Sequence, residues 1–202
     1  MKNLWIDLET TGLNPTKHGV IQIAGAIDID DEIIEEFDFK VKPLPGDGVT
    51  RKALDINQIT VDELKDRPEP HSVKQEFLKI LNNHIDPYDK NDKLFMLGYN
   101  SKFDYDFLRK WFEKQNYTYF GSFIWFPPID IMNLVAFQSR DGRTEFKNFK
   151  LGTVAQQYGI ELQEESLHDA HYDITLTREL YKRVKQKGLN GSISKVTKPP
   201  TS

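Results

Sequence analysis

Asp7 and Glu9 stand two residues apart in Asp7-Leu8-Glu9-Thr10-Thr11-Gly12, and in an extended chain residues i and i+2 project from one face. Two carboxylates aimed at one point call for a cation. Alone, the segment is equally well an acidic strand end followed by a turn, since charge at strand ends is ordinary. A third carboxylate comes in Gly98-Tyr99-Asn100-Ser101-Lys102-Phe103-Asp104, at the junction of a predicted strand and a predicted helix. If the helix starts near Asn100, that residue and Asp104 lie i, i+4 on one face at the mouth of the sheet. Caps and the helix dipole favour Asn and Asp in a first turn, which is the plainer account of that segment by itself. The remaining segment is His168-Asp169-Ala170-His171-Tyr172-Asp173. A spacing of five turns a side chain by about 140° on a regular helix, so His168 and Asp173 meet only if His168 precedes the helix and Asp169 caps it. Read alone, it is a solvent-facing helix start. Together the three segments place an acidic group at each of several element ends, and carboxylates gathered there would repel one another without divalent cations.

The patterns Asp7-x-Glu9, Asn100-x3-Asp104 and His168-x4-Asp173 resemble the three exonuclease motifs of the DEDDh branch of the DEDD exonuclease superfamily. That branch includes the proofreading subunits of bacterial replicative polymerases, RNase T and oligoribonuclease. The resemblance spans residues 3 to about 185 and implies a ribonuclease H-like fold. It implies a metal-dependent 3'-to-5' exonuclease that hydrolyses phosphodiester bonds from the 3' end and releases nucleoside monophosphates, with DNA the favoured substrate. By the same resemblance Asp7, Glu9, Asp104 and Asp173 hold two Mg²⁺ or Mn²⁺ ions, with Asp7 between them. Two ions about 3.5 to 4 Å apart serve the attacking and leaving oxygens of an in-line displacement. His168 is then the general base, since an imidazole of unperturbed pKa about 6.5 accepts a proton at neutral pH.

The implied partner is a single-stranded nucleic acid 3' end, with a polymerase or replication protein as a possible second. Leu8, Leu13, Ile59 and Phe103 are the apolar candidates for holding the terminal base and sugar, because contacts to a base face tolerate any sequence. Thr10, Thr11 and Asn100 are the polar candidates. Core packing or turn chemistry accounts for these seven about equally well. Two departures bear on substrate choice: many relatives carry His-Gly-Ile-Thr where this chain has Asn57-Gln58-Ile59-Thr60, and Gly-His-Asn where it has Gly98-Tyr99-Asn100.

Among the other histidines, His171 falls on the wrong side of the helix relative to Asp173 and reads as a surface residue, while His18, His71 and His84 lack an acidic partner at useful spacing and read as structural. The aromatic run from Phe120 to Phe126 reads as core.

Composition sets bounds on these readings. The chain has 202 residues, 38% of them hydrophobic and 29% charged, which fits one folding domain. No cysteine is present, so a metal must be held by oxygen or imidazole. The net charge of −4 argues against a protein that coats nucleic acid through bulk positive charge. The start of the chain lacks a signal-peptide pattern and no apolar run is long enough to span a bilayer, so a cytoplasmic location with no membrane contact is expected. Lys182, Arg183, Lys185, Lys187, Lys195 and Lys198 follow Glu179 without an acidic residue; they complement a helix dipole or attract a phosphate backbone.

Three other readings compete with a DNA enzyme. An exoribonuclease of the same family differs in how it treats the 2'-hydroxyl. A nucleic-acid-binding module without catalysis would lack a motif residue, and none is missing. A calcium-type sensor needs a contiguous ligand loop, whereas these acids are dispersed.

The elements that must position these residues follow from periodicity. Asn3–Asp7 reads as a buried strand, and Val20–Ile29 and Ile33–Val41 read as a hairpin about Asp30-Asp31-Glu32. Lys93–Gly98 and Phe126–Asp130 are further strands. Helical spacing is present at Val61–Leu64, at Val73–Ile85, from Asn100 through Phe112, around Leu134–Phe137, and at Leu151–Tyr158 and Asp169–Val184, with Ser139–Lys150 a loop. The expected fold is α/β, a mixed five-stranded sheet flanked by helices. Residues 1–187 form the expected exonuclease domain and 188–202 a flexible tail.

Overall fold

The computed structural model describes residues 1–163 and 169–186. Its first strand, β1 (Lys2–Thr10), is buried along nearly its whole length, because neighbouring strands flank it and helices cover both of its faces, a position that selects a continuous apolar run. β2 (Val20–Ile29) pairs antiparallel to it from Lys2↔Ile29 to Glu9↔Gln22, with an irregularity between Glu9 and Thr10. β3 (Glu32–Lys40) returns along β2 through Asp30 and Asp31, both left-handed at φ 55 and 72, as a two-residue type I′ hairpin turn requires. β4 (Leu94–Gly98) pairs parallel to β1, and β5 (Ile124–Asp130) parallel to β4. The sheet order is β3-β2-β1-β4-β5, the mixed five-stranded arrangement expected.

Between β3 and β4 lie α1 (Arg51–Ile56), α2 (Val61–Lys65) and α3 (Pro70–His84). α4 (Ser101–Lys114) follows β4, α5 (Ile131–Gln138) follows β5, and α6 (Leu151–Gln157) and α7 (Ala170–Gln186) come last. Strand alternation sorts β1 between two cores. Leu4, Ile6 and Leu8 pack with Phe77 and Leu81 of α3 and with Phe107, Trp111 and Phe112 of α4. Trp5 faces the other way, onto Val135, Val154, Ile174, Leu180 and Val184 of α5–α7.

A buried polar knot fixes α7 against the sheet. Asp28 accepts hydrogen bonds from Asn3 Nδ2 at 2.7 Å and Trp5 Nε1 at 2.5 Å. Arg178 of α7 brings Nη2 to 3.9 Å from the same carboxylate, and Tyr181 packs edge-on against Trp5 at 5.4 Å. The buried Asp28 carboxylate is tolerated there because two N–H donors and the Arg178 charge compensate it.

Several elements depart from expectation. α1 was not foreseen: six residues are too short for periodicity to register, and the helix exists because Thr50 accepts a hydrogen bond from Ala53 N at 3.2 Å, a side-chain N-cap. The segment expected as a loop includes a 3₁₀ stretch at Arg140–Glu145. Within the aromatic run, Phe120 and Phe123 are core, whereas Phe126 is 63% exposed, because β5 is an edge strand and that position faces outward; its ring rests on Tyr105 at 5.3 Å. His84 does have an acidic partner, Glu35, with Nε2 2.5 Å from Oε2; the pair is far apart in sequence and forms where α3 meets β3. Of the basic C-terminal residues, Arg183 pairs with Glu179 at 2.9 Å and Lys185 with Asp31 at 3.3 Å. Lys187, Lys195, Lys198 and the proposed tail lie outside the described residues. Among the described residues no helix is long and apolar enough to cross a membrane.

Candidate active site

The parallel ladder between β1 and β4 ends at Trp5↔Leu97, and β1 continues beyond it. Asp7 and Glu9 therefore project past the carboxyl end of the parallel strands, where open α/β sheets present ligand sites. Alternation puts both on the Trp5 face, the side covered by α7, and the first turn of α7 carries Asp173. Asp169 caps that helix by accepting from Tyr172 N at 2.9 Å. Asp104 arrives from the opposite layer, in the first turn of α4, 4% exposed, with Oδ1 accepting from Leu8 N at 3.1 Å. One backbone N–H of β1 thus fixes the carboxylate that reaches in from α4.

The ionisation of these groups reports their proximity. Burial pushes the Asp7 carboxyl well above its usual range, and Asp104, Glu9, Asp173 and Asp169 push it further. Glu9 is raised to about 7 by burial, then by Asp173 and Asp169, against an opposing pull from Arg67. Asp104 is raised by burial, with Glu9 and Asp130 adding and the Leu8 hydrogen bond opposing. Three carboxylates that resist ionisation, Asp7, Glu9 and Asp104, with Asp173 near enough to raise the first two, form a set of hard oxygen donors whose repulsion a divalent cation relieves. In donor chemistry the residues therefore fit Mg²⁺ or Mn²⁺, and Asp7, Glu9, Asp104 and Asp173 are the ones that would hold them. Among the described residues no three such groups are already drawn in to ligand spacing; the array is an open one.

Two clefts meet at Glu9. The first, of about 480 Å³, is walled mainly by apolar groups, including Leu8, Gly12, Leu13, Ala53, Ile56 and Phe103. The second, of about 260 Å³, is polar and shares Glu9, Ile56 and Asn57 with the first. Gly12 has no room for a side chain, since an added Cβ would lie 2.5 Å from the His18 ring.

Of the substrate candidates, Leu8, Thr10, Leu13 and Phe103 do line the first cleft, Leu13 at its rim with 80% exposure. Ile59 lines the second cleft instead. Thr11 is not in either: it is fully buried, its hydroxyl donating to Gly48 O at 2.6 Å and accepting from Gly19 N at 2.8 Å. Asn100 is not in either cleft; it precedes α4 in a left-handed conformation, φ 63, with its N–H donating to Asp130 Oδ1 at 3.0 Å. It is therefore outside the helix, and the expected i, i+4 relation to Asp104 does not hold. Tyr99 lines neither cleft, its hydroxyl donating to Phe149 O at 2.8 Å. His168 lies outside the described residues. His171 is a surface residue as expected, 3.4 Å from Glu36.

Sequence reading missed His18, Thr50, Lys52, Ala53 and Ile56 as cleft residues, while Asn57, in a segment expected to bear on substrate choice, does line the cleft. The one available signal was Thr50 followed three residues later by an amide it can cap; the wall itself is created by the way α1 folds back over β1.

An α/β sheet of this order, with acidic groups gathered at its carboxyl end beside a nucleoside-sized cleft, defines a nuclease domain of ribonuclease H-like fold. A family model described as exonuclease, that of RNase T, matches residues 4–181, and the chain belongs to this family, in its DEDDh 3'-to-5' branch. Among curated relatives, the PolC-type DNA polymerase III of Thermotoga petrophila is 34% identical over 110 residues, 54% of this chain and 7% of the relative. That of Oceanobacillus iheyensis is 27% identical over 188 residues, 93% of this chain and 12% of the relative. The chain thus spans only a small part of the length of these relatives. Among solved structures, the zinc-bound complex of Escherichia coli ExoI with single-stranded DNA matches with a TM-score of 0.74 at 21% identity, covering 94% of this chain and 41% of that one. E. coli exonuclease I with a dT13 oligonucleotide matches with a TM-score of 0.71 at 22% identity, covering 91% and 41%. At such identities the likeness is one of fold.

Proposed function

We propose that the chain is a 3'-to-5' exonuclease that removes nucleoside monophosphates from the 3' end of single-stranded DNA. The observation that carries this reading is the mutual proximity of Asp7, Glu9, Asp104 and Asp173, with Glu9 lining an apolar cleft of about 480 Å³, the size range of small-molecule sites. The PolC-type relatives and the single-stranded DNA bound to E. coli exonuclease I support DNA as the strand and a replicative polymerase as a partner.

Divalent cations held by the four carboxylates would offset charge on the phosphodiester and make water nucleophilic at neutral pH. The other functions belong to the chain's own side chains. Leu8, Phe103, Ala53 and Ile56 hold the terminal base by apolar contact. The Leu8 N–H holds Asp104 in place. His168, five residues ahead of Asp173 in the sequence, takes the proton from the attacking water.

The test is hydrolysis of matched single-stranded DNA and RNA oligonucleotides carrying labels at the 3' or the 5' end, with Mg²⁺ or Mn²⁺ and with excess chelator. The expected result is immediate release of a 3' label as mononucleotide, DNA cut faster than RNA, and no cleavage in chelator or with Asp7→Asn. Undiminished hydrolysis in chelator would sink the metal-dependent reading, and faster RNA cleavage would make the enzyme an exoribonuclease.

A further inference from the structure

The second cleft has no part in the reaction as derived so far, yet it opens onto the same Glu9. Its lining differs in kind from that of the first: Lys40 from β3, Arg67 from the link between α2 and α3, and the polar side chains of Gln22, Asn57 and Gln58 face it, with Ile21 and Ile59 beneath. Arg67 is half-buried and fixed, one guanidinium nitrogen donating to Ile21 O at 2.6 Å. Among the described residues neither Arg67 nor Lys40 is paired with a carboxylate within 4.0 Å. Three acids share the cleft, and two are otherwise engaged: Asp38 accepts from Gln22 Nε2 at 2.8 Å, and Asp169 caps α7. The third is Glu9 itself.

A strand whose last base fills the first cleft, with its final phosphodiester at Glu9, must carry the next phosphates away from that point. The second cleft is a polar trough continuous with Glu9. We propose that this cleft is the binding site for the retained strand, with Arg67 and Lys40 holding the backbone phosphates next upstream of the scissile bond. This rests on the exonuclease reading above. A guanidinium anchored by one edge keeps its other donors oriented for a phosphate, and a lysine on the adjoining strand adds a mobile charge.

The backbone at Gln58 adds a second observation. Gln58 holds a left-handed conformation at φ 52, which a side chain makes unfavourable. Here that side chain lies in the trough, where its amide can reach a sugar or phosphate oxygen.

The experiment uses the whole chain and three variants, Arg67→Gln, Arg67→Lys and Lys40→Gln. Binding of a fluorescent dT oligonucleotide is followed by anisotropy in chelator across a salt series, so no catalysis enters. Arg67→Gln and Lys40→Gln are each expected to weaken binding about tenfold, as loss of a charge-assisted hydrogen bond does. Each should also lower the slope of log affinity against log salt by about 0.7. Arg67→Lys should recover part of both effects. With metal present, KM for the oligonucleotide should rise more than KM for the 4-nitrophenyl ester of thymidine 5'-monophosphate, which has no upstream phosphate. If binding and salt slope are unchanged while both substrates slow equally, Arg67 acts only on Glu9 and the proposal is overturned. Lys40→Gln, which breaks no side-chain hydrogen bond among the described residues, decides the matter should Arg67→Gln fail to fold. If the unaltered chain cleaves nothing, the exonuclease reading fails, while the binding series still reports where the strand lies.

Discussion

At the level of single residues, what could be read from the sequence was chemistry that needs only spacing. Asp7 and Glu9 share a face because β1 is extended, and Asp104 and Asp173 open helices that start beside the sheet's carboxyl end. Residues whose role depends on a distant partner could not be read in this way. Thr11 belongs to the turn packing because Gly19 and Gly48, far along the chain, come to its hydroxyl. Asn100 falls out of helical phase because Asp130, at the end of a different strand, takes its N–H. The two histidines of the last motif separate by the same reasoning. His171 sits on the solvent side of α7, with Glu36 its neighbour at 3.4 Å, so His171→Ala should leave turnover within about twofold, the scale of a surface change. His168→Ala should lower turnover by roughly 10² to 10⁴ with KM nearly constant. Single-turnover rates of both variants decide it, and a large loss in His171→Ala would move the base to that residue.

At the level of elements, β1, β2, β4 and the long helices followed from the apolar runs and faces they bury, whereas β3 and β5, with one buried residue each, were legible from alternation, turn residues and a short apolar run. α1 escaped because its six residues bury only Ala53 and Leu54, too few to write a pattern, and its existence rests on a cap and on the strand it leans against. The turn after it, Asn57-Gln58, carries the left-handed φ of 52 on a residue with a side chain. Gln58→Gly relieves that local conflict, worth roughly 1 kcal/mol, but gives the unfolded chain more freedom, worth 0.5–1 kcal/mol by the usual scale of about that size. The expected outcome is therefore a melting temperature equal to or slightly above that of the parent, together with weaker oligonucleotide binding. A substantial drop in melting temperature would mean that the Gln58 side chain supports the fold.

At the level of the whole molecule, the sheet order brings acids from β1, α4 and α7 to one end, and the cost of that gathering falls on stability. Glu9 holds its proton to about 7 in the folded chain but only to about 4.3 when unfolded. Between those values the folded state binds more protons than the unfolded one, so stability falls as pH rises through the interval. Asp7 and Asp104, also raised, act in the same direction. In chelator the melting temperature should therefore decline from pH 5 to pH 8, and Mg²⁺ should raise it more at pH 8 than at pH 5. A melting curve indifferent to both would remove the charge repulsion inferred here. The wall of the first cleft has a different fate. The segment bearing α1 and α2 is held by a small apolar group, Ile21, Leu54 and Leu64 with Ile59 beside them, and by a few bonds to β1 and the turn after it, such as Asn57 Nδ2 to Thr10 O at 3.2 Å and Thr50 N to Thr11 O at 2.9 Å. So thin an attachment can detach while the sheet stays intact, because local opening needs only the free energy of the contacts it breaks. Backbone amides of residues 51–65 should consequently exchange with deuterium much sooner than those of β1. Thymidine 5'-monophosphate, seated between that wall and Leu8, should slow them, so that the enzyme's grip on a terminal nucleotide is measurable as a change in isotope uptake before any bond is cut.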